Sequence, residues 1–179
     1  MDRLVKINQK EDIFPEYRGT PIGQLLEFHN LNRPFETYTQ AKILVGMCMD
    51  NRKHLNMPDN FAFIIRAGGA NLRNSGFKVS FAIAIGNIQH IALIGHNNCG
   101  MVNLISRKDE FITGLVDKAG WDREQAEEHF MKFAPLFEIG NAIDFVLSEA
   151  IRLRLKYPKI TVVPMHYTVD DNRLHLIKE

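Results

Sequence analysis

Apolar runs and amphipathic stretches alternate along the first hundred residues. Residues 42–48 are apolar and rich in branched side chains, which predicts a strand buried on both faces. Residues 61–66 and 91–94 have the same character. Between these two, residues 75–87 place Phe77, Phe81, Ala84 and Ile85 at helical spacing, so a helix with one apolar face is expected there. Strand, connection, strand, helix, strand is the alternation of an α/β domain with a mostly parallel central sheet flanked by helices.

The flanks extend this picture. Residues 1–19 mix charge with Pro15 and Gly19 without a clear period and read as an arm on the surface or on a partner subunit. Thr20-Pro21 looks like a helix cap followed by proline at the first helical position. Ile22, Leu25, Leu26 and His29 follow at helical spacing, and Arg33-Pro34 ends the run. Residues 108–154 read as helical. Asp122 with Gln125 resembles a capping box, Pro135 breaks the run, and Ile139, Ile143, Val146, Leu147, Ile151 and Leu155 form an apolar stripe. A strand is expected at 160–167, a turn at 169–173 and a last strand at 174–177. The whole is one domain, with residues 1–39 as the arm and helix available for subunit packing.

Composition excludes several classes. Of 179 residues, 45% are hydrophobic and 24% charged, the profile of a soluble globular domain. Lys and Arg total 22 against 21 for Asp and Glu, a net charge of +1, and no basic stripe argues for nucleic acid. No apolar run reaches the roughly 18 to 20 residues of a membrane span. The start, Met1-Asp2-Arg3-Leu4-Val5-Lys6, is too charged for a signal peptide. A cytoplasmic protein is expected, with its thiols reduced.

The candidate chemistry sits at two predicted strand ends. Cys48-Met49-Asp50-Asn51-Arg52 leaves the first strand, and Gly95-His96-Asn97-Asn98-Cys99-Gly100 leaves the third. These stretches hold both cysteines of the chain. Two sulfurs and one imidazole, from Cys48, Cys99 and His96, make three ligands for zinc. Three protein ligands with one open position is the pattern of a catalytic site. On extended backbone Asp50 faces the same side as Cys48, and Arg52 can hold its carboxylate through two parallel hydrogen bonds. Cys99 is expected at the start of a helix, where partial positive charge favours thiolate. The plainer readings are two buried apolar thiols, a disulfide, or a surface Asp50–Arg52 ion pair.

The two stretches resemble the β-class carbonic anhydrases, which carry Cys-x-Asp-x-Arg and Gly-His-x-x-Cys-Gly at similar separation. Ile64-Ile65-Arg66-Ala67-Gly68-Gly69 is similar to that family's glycine loop, and the chain end from Val163 to Leu174 to its closing hairpin. The resemblance covers residues 40–105 well and the remainder loosely. It implies one Zn2+ per chain on Cys48, His96 and Cys99, with Asp50 as a candidate fourth ligand. It implies catalytic roles for Asp50 and Arg52, a small-molecule substrate, and a homodimer or higher homo-oligomer. The implied reaction is reversible hydration of carbon dioxide to bicarbonate by zinc-bound hydroxide. Relatives hydrolyse carbonyl sulfide or carbon disulfide, and some are non-catalytic zinc proteins. Backbone N–H near Gly69 is a candidate donor to a substrate oxygen. Phe61, Phe63 and Val102 are candidate pocket walls. His29, His54, His90, His129, His166 and His175 are candidate proton carriers. Asn51, Ala67, Ala70 and Asn97 depart from the family's usual serine, asparagines and threonine, altering the surroundings that tune a metal site.

Overall fold

The computed structural model describes residues 3–179; Met1 and Asp2 of the charged start lie outside them. Six strands form one sheet in the order β1-β6-β5-β4-β2-β3. The strands are β1 (Leu4–Lys6), β2 (Ile43–Met47), β3 (Ala62–Arg66), β4 (His90–His96), β5 (Thr161–Thr168) and β6 (Arg173–Ile177). The central β3-β2-β4-β5 block is parallel, and β6 and β1 add antiparallel pairings at one edge. The helices are α1 (Pro21–Asn30), α2 (Gly76–Ala84), α3 (Lys108–Ala119), α4 (Arg123–Phe137) and α5 (Ala142–Lys156).

Both faces of the central strands are covered, as their continuous apolar sequence requires. Successive side chains alternate between faces. Val45, Met47, Ala92, Ile94, Met165 and Tyr167 pack with Leu25, Leu26 and Phe28 of α1. Leu44, Ile91, Leu93 and Val162 pack with Val79 and Ala82 of α2 and Leu153 of α5. The expected arm is partly sheet: β1 pairs with β6 from Leu4 opposite Ile177 to Lys6 opposite His175. The Thr20 hydroxyl caps α1, accepting from Gly23 N–H at 3.5 Å.

Some helical details differ from the sequence reading. Phe77, Phe81 and Ile85 are 82%, 49% and 72% exposed, so the apolar face of α2 points outward and Val79 and Ala82 point in. Pro135 lies inside the last turn of α4 and does not end it. The break comes at Asn141, whose side chain caps α5 by accepting from Ile143 and Asp144 N–H. Val146, Ala150 and Leu153 are the inward stripe of α5, while Ile151 and Leu155 face out. Asp122 caps α4, accepting from Glu124 and Gln125 N–H. No helix among the described residues is long and apolar enough to cross a membrane.

The topology places the site. From β2 the chain steps to β3 on one side, then crosses back through α2 to β4 on the other. A crevice opens where strand order reverses in this way. Met47 of β2 is level with Ile94 of β4, so Cys48 and His96 emerge side by side. Gly95 allows α5 to close on this strand: a Cβ there would stand 3.0 Å from the Ala142 carbonyl oxygen and from Val146.

Candidate metal centre

Cys48, His96 and Cys99 converge, with their ligand atoms all within 4.8 Å of one another. They are 3%, 1% and 6% exposed. The sulfurs lie 3.9 Å apart, close to the edge of about 3.8 Å that tetrahedral geometry gives for two metal–sulfur bonds of about 2.3 Å. His96 Nδ1 donates to the Asn97 carbonyl at 2.8 Å, which leaves Nε2 as the lone-pair nitrogen. Nε2 is buried and has no hydrogen-bond partner. A buried acceptor of this kind, aimed at two sulfurs, is what a metal ligand looks like.

The electrostatics agree. The Cys48 thiol is driven well below its ordinary value, chiefly by the hydrogen bond from Cys99 and also by the N–H groups of Asp50 and Gly69, against the opposing effect of burial. Cys99 is pushed up by that same bond and by burial. The two sulfurs share one proton between them, and losing it as well needs a cation between them. The donor set fits a soft-to-borderline metal.

Cys99 is not at a helix start. Its carbonyl accepts from Val102 N–H at 3.1 Å, and the chain turns through Asn98 and Asn103, both with φ of 54°, before a short 3-10 segment begins at Leu104. Asparagine tolerates that left-handed region because its side chain can bond locally. Asn97 has a structural task, accepting from Val169 N–H at 2.8 Å and donating to Asp170 at 3.0 Å. It ties the His96 loop to the β5–β6 turn.

Asp50 and Arg52 form the expected pair. Arg52 Nε donates to Oδ1 at 3.0 Å, Nη2 to Oδ2 at 2.6 Å, and the Arg52 backbone N–H to Oδ1 at 2.9 Å. Arg52 Nη2 also reaches the Asn98 carbonyl at 2.9 Å, joining the two motifs. Hydrogen bonding from Arg52 holds the Asp50 carboxyl well below the usual carboxylate range. Its Oδ2 lies 3.9 Å from His96 Nε2, so the carboxylate borders the metal position.

Gly69, expected as a donor to substrate, has φ of 63° and directs its N–H to Cys48 Sγ at 3.3 Å. An N–H has one proton, and here it supports a ligand sulfur. Ala70 follows in the same left-handed region, with φ of 61°. Two cations escaped the sequence reading. Arg66 gathers the carbonyls of Cys48, Asp50 and Lys53 at 3.2 to 3.4 Å. Lys53 is fully buried beside Asp50. A lysine or a strand-ending arginine normally reads as surface, so only the folded loop reveals them.

An apolar groove of about 540 Å³ reaches the ligand loops at Met49, Gly68, Gly100 and Met101, with Phe111 and Phe133 on its far wall. Its apolar far wall comes from α3 and α4. Phe61 packs instead against Phe28 and Tyr38, Phe63 lies on the edge strand, and Val102 packs beside the two cysteines. Of the six candidate proton carriers, His129 lines the groove. His29 is engaged at both nitrogens, by the Asn172 carbonyl and the Asn56 N–H.

His166 stands opposite Gly95 on one side and His175 on the other. Burial, with smaller contributions from His175 and His96, pushes its pKa down to about 4. A depressed histidine stabilises the fold fully above its unfolded value near 6.5 and loses that contribution as pH falls towards 4. The shift corresponds to about 3 kcal/mol. Urea unfolding in chelator is expected to weaken by that order between pH 7 and pH 4.5, and His166→Leu to flatten the trend. An unchanged slope in the variant rejects this origin.

No family model matches the sequence, and no curated protein matches it. Solved structures do. The β-carbonic anhydrase isoform I of Trichomonas vaginalis is similar over 83% of this chain and 90% of its own, with TM-score 0.63 and 19% identity. Carbonic anhydrase from Glaciozyma antarctica is similar over 76% and 81%, with TM-score 0.62 and 21% identity. The apo form of a carbon disulfide hydrolase is similar over 76% and 78%, with TM-score 0.55 and 19% identity. The chain has the fold of the β-class carbonic anhydrases.

Proposed function

We propose that this protein is a zinc enzyme that hydrates carbon dioxide reversibly to bicarbonate. The observation that carries this reading is the buried Cys48–His96–Cys99 trio bordered by Asp50, set on this fold. Cys48, His96 and Cys99 would hold the metal. Bound zinc supplies Lewis acidity, lowering the pKa of water at its open position. Asp50 is kept ionised by Arg52 and at Oδ2 would accept a hydrogen bond from the O–H of the reacting oxygen, orienting it. The Gly69 N–H donating to Cys48 Sγ and the Asn97 carbonyl accepting from His96 Nδ1 hold these two side chains in place. The apolar groove admits a small apolar substrate, and His129 on its wall is a route for the released proton.

The same groove suits carbon disulfide, and the likeness to a carbon disulfide hydrolase keeps that substrate as a second reading. A homodimer is the proposed assembly. Phe63 is exposed on edge strand β3 with its ring beside Gly86 just past α2, whose Phe77, Phe81 and Ile85 are also exposed, and exposed apolar side chains gathered in this way mark an interface. The two free thiols suit a reducing compartment such as the cytoplasm.

The test is stopped-flow carbon dioxide hydration from pH 6 to 9.5, on protein of measured zinc content and sedimentation mass. One zinc per chain, two chains per particle, and a rate rising towards alkaline pH are expected. Two thiolates offset the metal's charge, so the acid limb should lie above the value of about 7 familiar from the three-histidine carbonic anhydrase. A zinc-loaded protein that hydrates no carbon dioxide rejects the reaction, and one that instead consumes carbon disulfide selects the second reading. A rate flat across the range rejects the charge argument.

A further inference from the structure

A fully buried lysine stands behind the dyad. The Lys53 side chain is 0% exposed, and it is the one lysine buried among the described residues. Its ammonium donates to the Asp50 carbonyl at 3.1 Å and lies 3.9 Å from Asp50 Oδ1. A desolvated ammonium is costly unless anions face it. The anions here are those of the metal site: burial lowers its pKa, and Cys48, Asp50 and Cys99 raise it, in that order.

The two oxygens of Asp50 point to different neighbours. Oδ1 takes the Arg52 backbone N–H and Nε and faces Lys53. Oδ2 takes Arg52 Nη2 and lies 3.9 Å from His96 Nε2, the metal-facing atom. Arg52 is 45% exposed, so water and salt weaken its hold. Lys53 is screened by neither.

On the reading that Cys48, His96 and Cys99 hold a metal, we propose that Lys53 is a positioning residue whose buried ammonium pins the Asp50 turn and keeps its carboxylate on Arg52 and off the metal's fourth position. Two thiolates offset a divalent metal, and Arg52 offsets Asp50. Lys53, with Arg66 on the Cys48 and Asp50 carbonyls, then leaves the site with excess positive charge, which favours an exchangeable anion at the open position. Without Lys53 the Asp50 carbonyl keeps only the longer contact from Arg66 at 3.4 Å, and the solvent-exposed Arg52 guanidinium is left to hold the carboxylate against the metal's attraction.

Azide binding to the cobalt(II)-substituted, full-length protein, followed by visible absorption, tests this without any turnover. In Lys53→Met the carboxylate competes for the fourth position. If that places it on the metal in about nine molecules of ten, apparent azide affinity falls about tenfold. Lys53→Gln keeps a donor for the Asp50 carbonyl but no charge; it is expected to weaken azide in the same direction and replaces the methionine variant should that fail to fold. Adding Asp50→Asn to either variant is expected to recover azide affinity to within about threefold of Asp50→Asn alone, since no carboxylate remains to compete. A purely structural lysine would lower thermal stability without this recovery. Azide affinity unchanged in both lysine variants, or a loss that Asp50→Asn does not recover, overturns the proposal. Wild-type protein that takes up no cobalt overturns the metal reading, and the role of Lys53 with it.

Discussion

Cys99→Ser is expected to release the metal while leaving the fold in place. Serine matches cysteine closely in volume, so the buried pocket between Cys48 and Ile139 is neither emptied nor overfilled. What changes is the donor: a hydroxyl does not ionise near neutral pH and is a poor ligand for a soft-to-borderline metal. Zinc sites with four protein ligands are worth about 10 to 16 kcal/mol, which assigns about 2.5 to 4 kcal/mol to each ligand. The loss is then about 10² to 10³ in zinc affinity. Metal analysis after dialysis against a weak chelator should give far less than one zinc per chain, and carbon dioxide hydration should fall with it. Far-ultraviolet dichroism should match that of chelator-treated wild type. Wild-type protein should lose thermal stability when stripped of zinc, because a ligand that binds only the native state stabilises it. The variant should show little such response. Full zinc retention in Cys99→Ser would mean that the trio is not the ligand set.

The convergence of Cys48, His96 and Cys99 was legible because the two motifs end strands whose apolar runs mark them as buried on both faces. Residues 42–48 and 91–94 read as parallel strands, and the structure places them as adjacent β2 and β4. Cys48 and His96 then meet by register. What sequence did not show depends on partners far along the chain. Leu4-Val5-Lys6 is too short a run to announce a strand, and its pairing with β6 links the two ends of the chain. The spacing of Phe77, Phe81 and Ile85 reveals an apolar face but not which way it turns, and it turns outward. Val79 and Ala82, smaller and less conspicuous, are the residues that let α2 sit on the sheet.

Around the metal position the same limit holds. Asp50 and Arg52 are two apart and meet through local geometry, so spacing alone anticipates their bond. Arg66 reaches the same loop from the end of β3, and Lys53 folds beneath it. Neither contact follows from residue type. Gly69 was legible as a backbone that approaches the site, but its N–H goes to Cys48 Sγ. Its positive φ turns that proton inward, which no pattern of residues states. The groove is likewise a product of how α3 and α4 stand over the ligand loops, not of the aromatic residues on β3.

Arg52→Ala is expected to keep the zinc and lose most of the rate. None of the three ligand atoms belongs to Arg52, and its side chain is about half exposed, so neither the fold nor the trio depends on it. Three side-chain hydrogen bonds to the Asp50 carboxylate and one to the Asn98 carbonyl are lost. Asp50 is then held by a backbone N–H and by Lys53. A carboxylate so loosened either rotates away from the reacting oxygen or turns Oδ2, which starts 3.9 Å from His96 Nε2, towards the metal position. Both outcomes slow turnover, and losing a group that orients a metal site reduces activity by about 10- to 100-fold. Arg52→Lys should recover little, since an ammonium cannot make the two-pronged contact. The two causes separate by anion binding: a capped metal binds azide weakly, an open one binds it as wild type does. Zinc content near one per chain with turnover unchanged would remove Asp50 and Arg52 from the mechanism, because a carboxylate that matters there cannot lose its guanidinium without consequence.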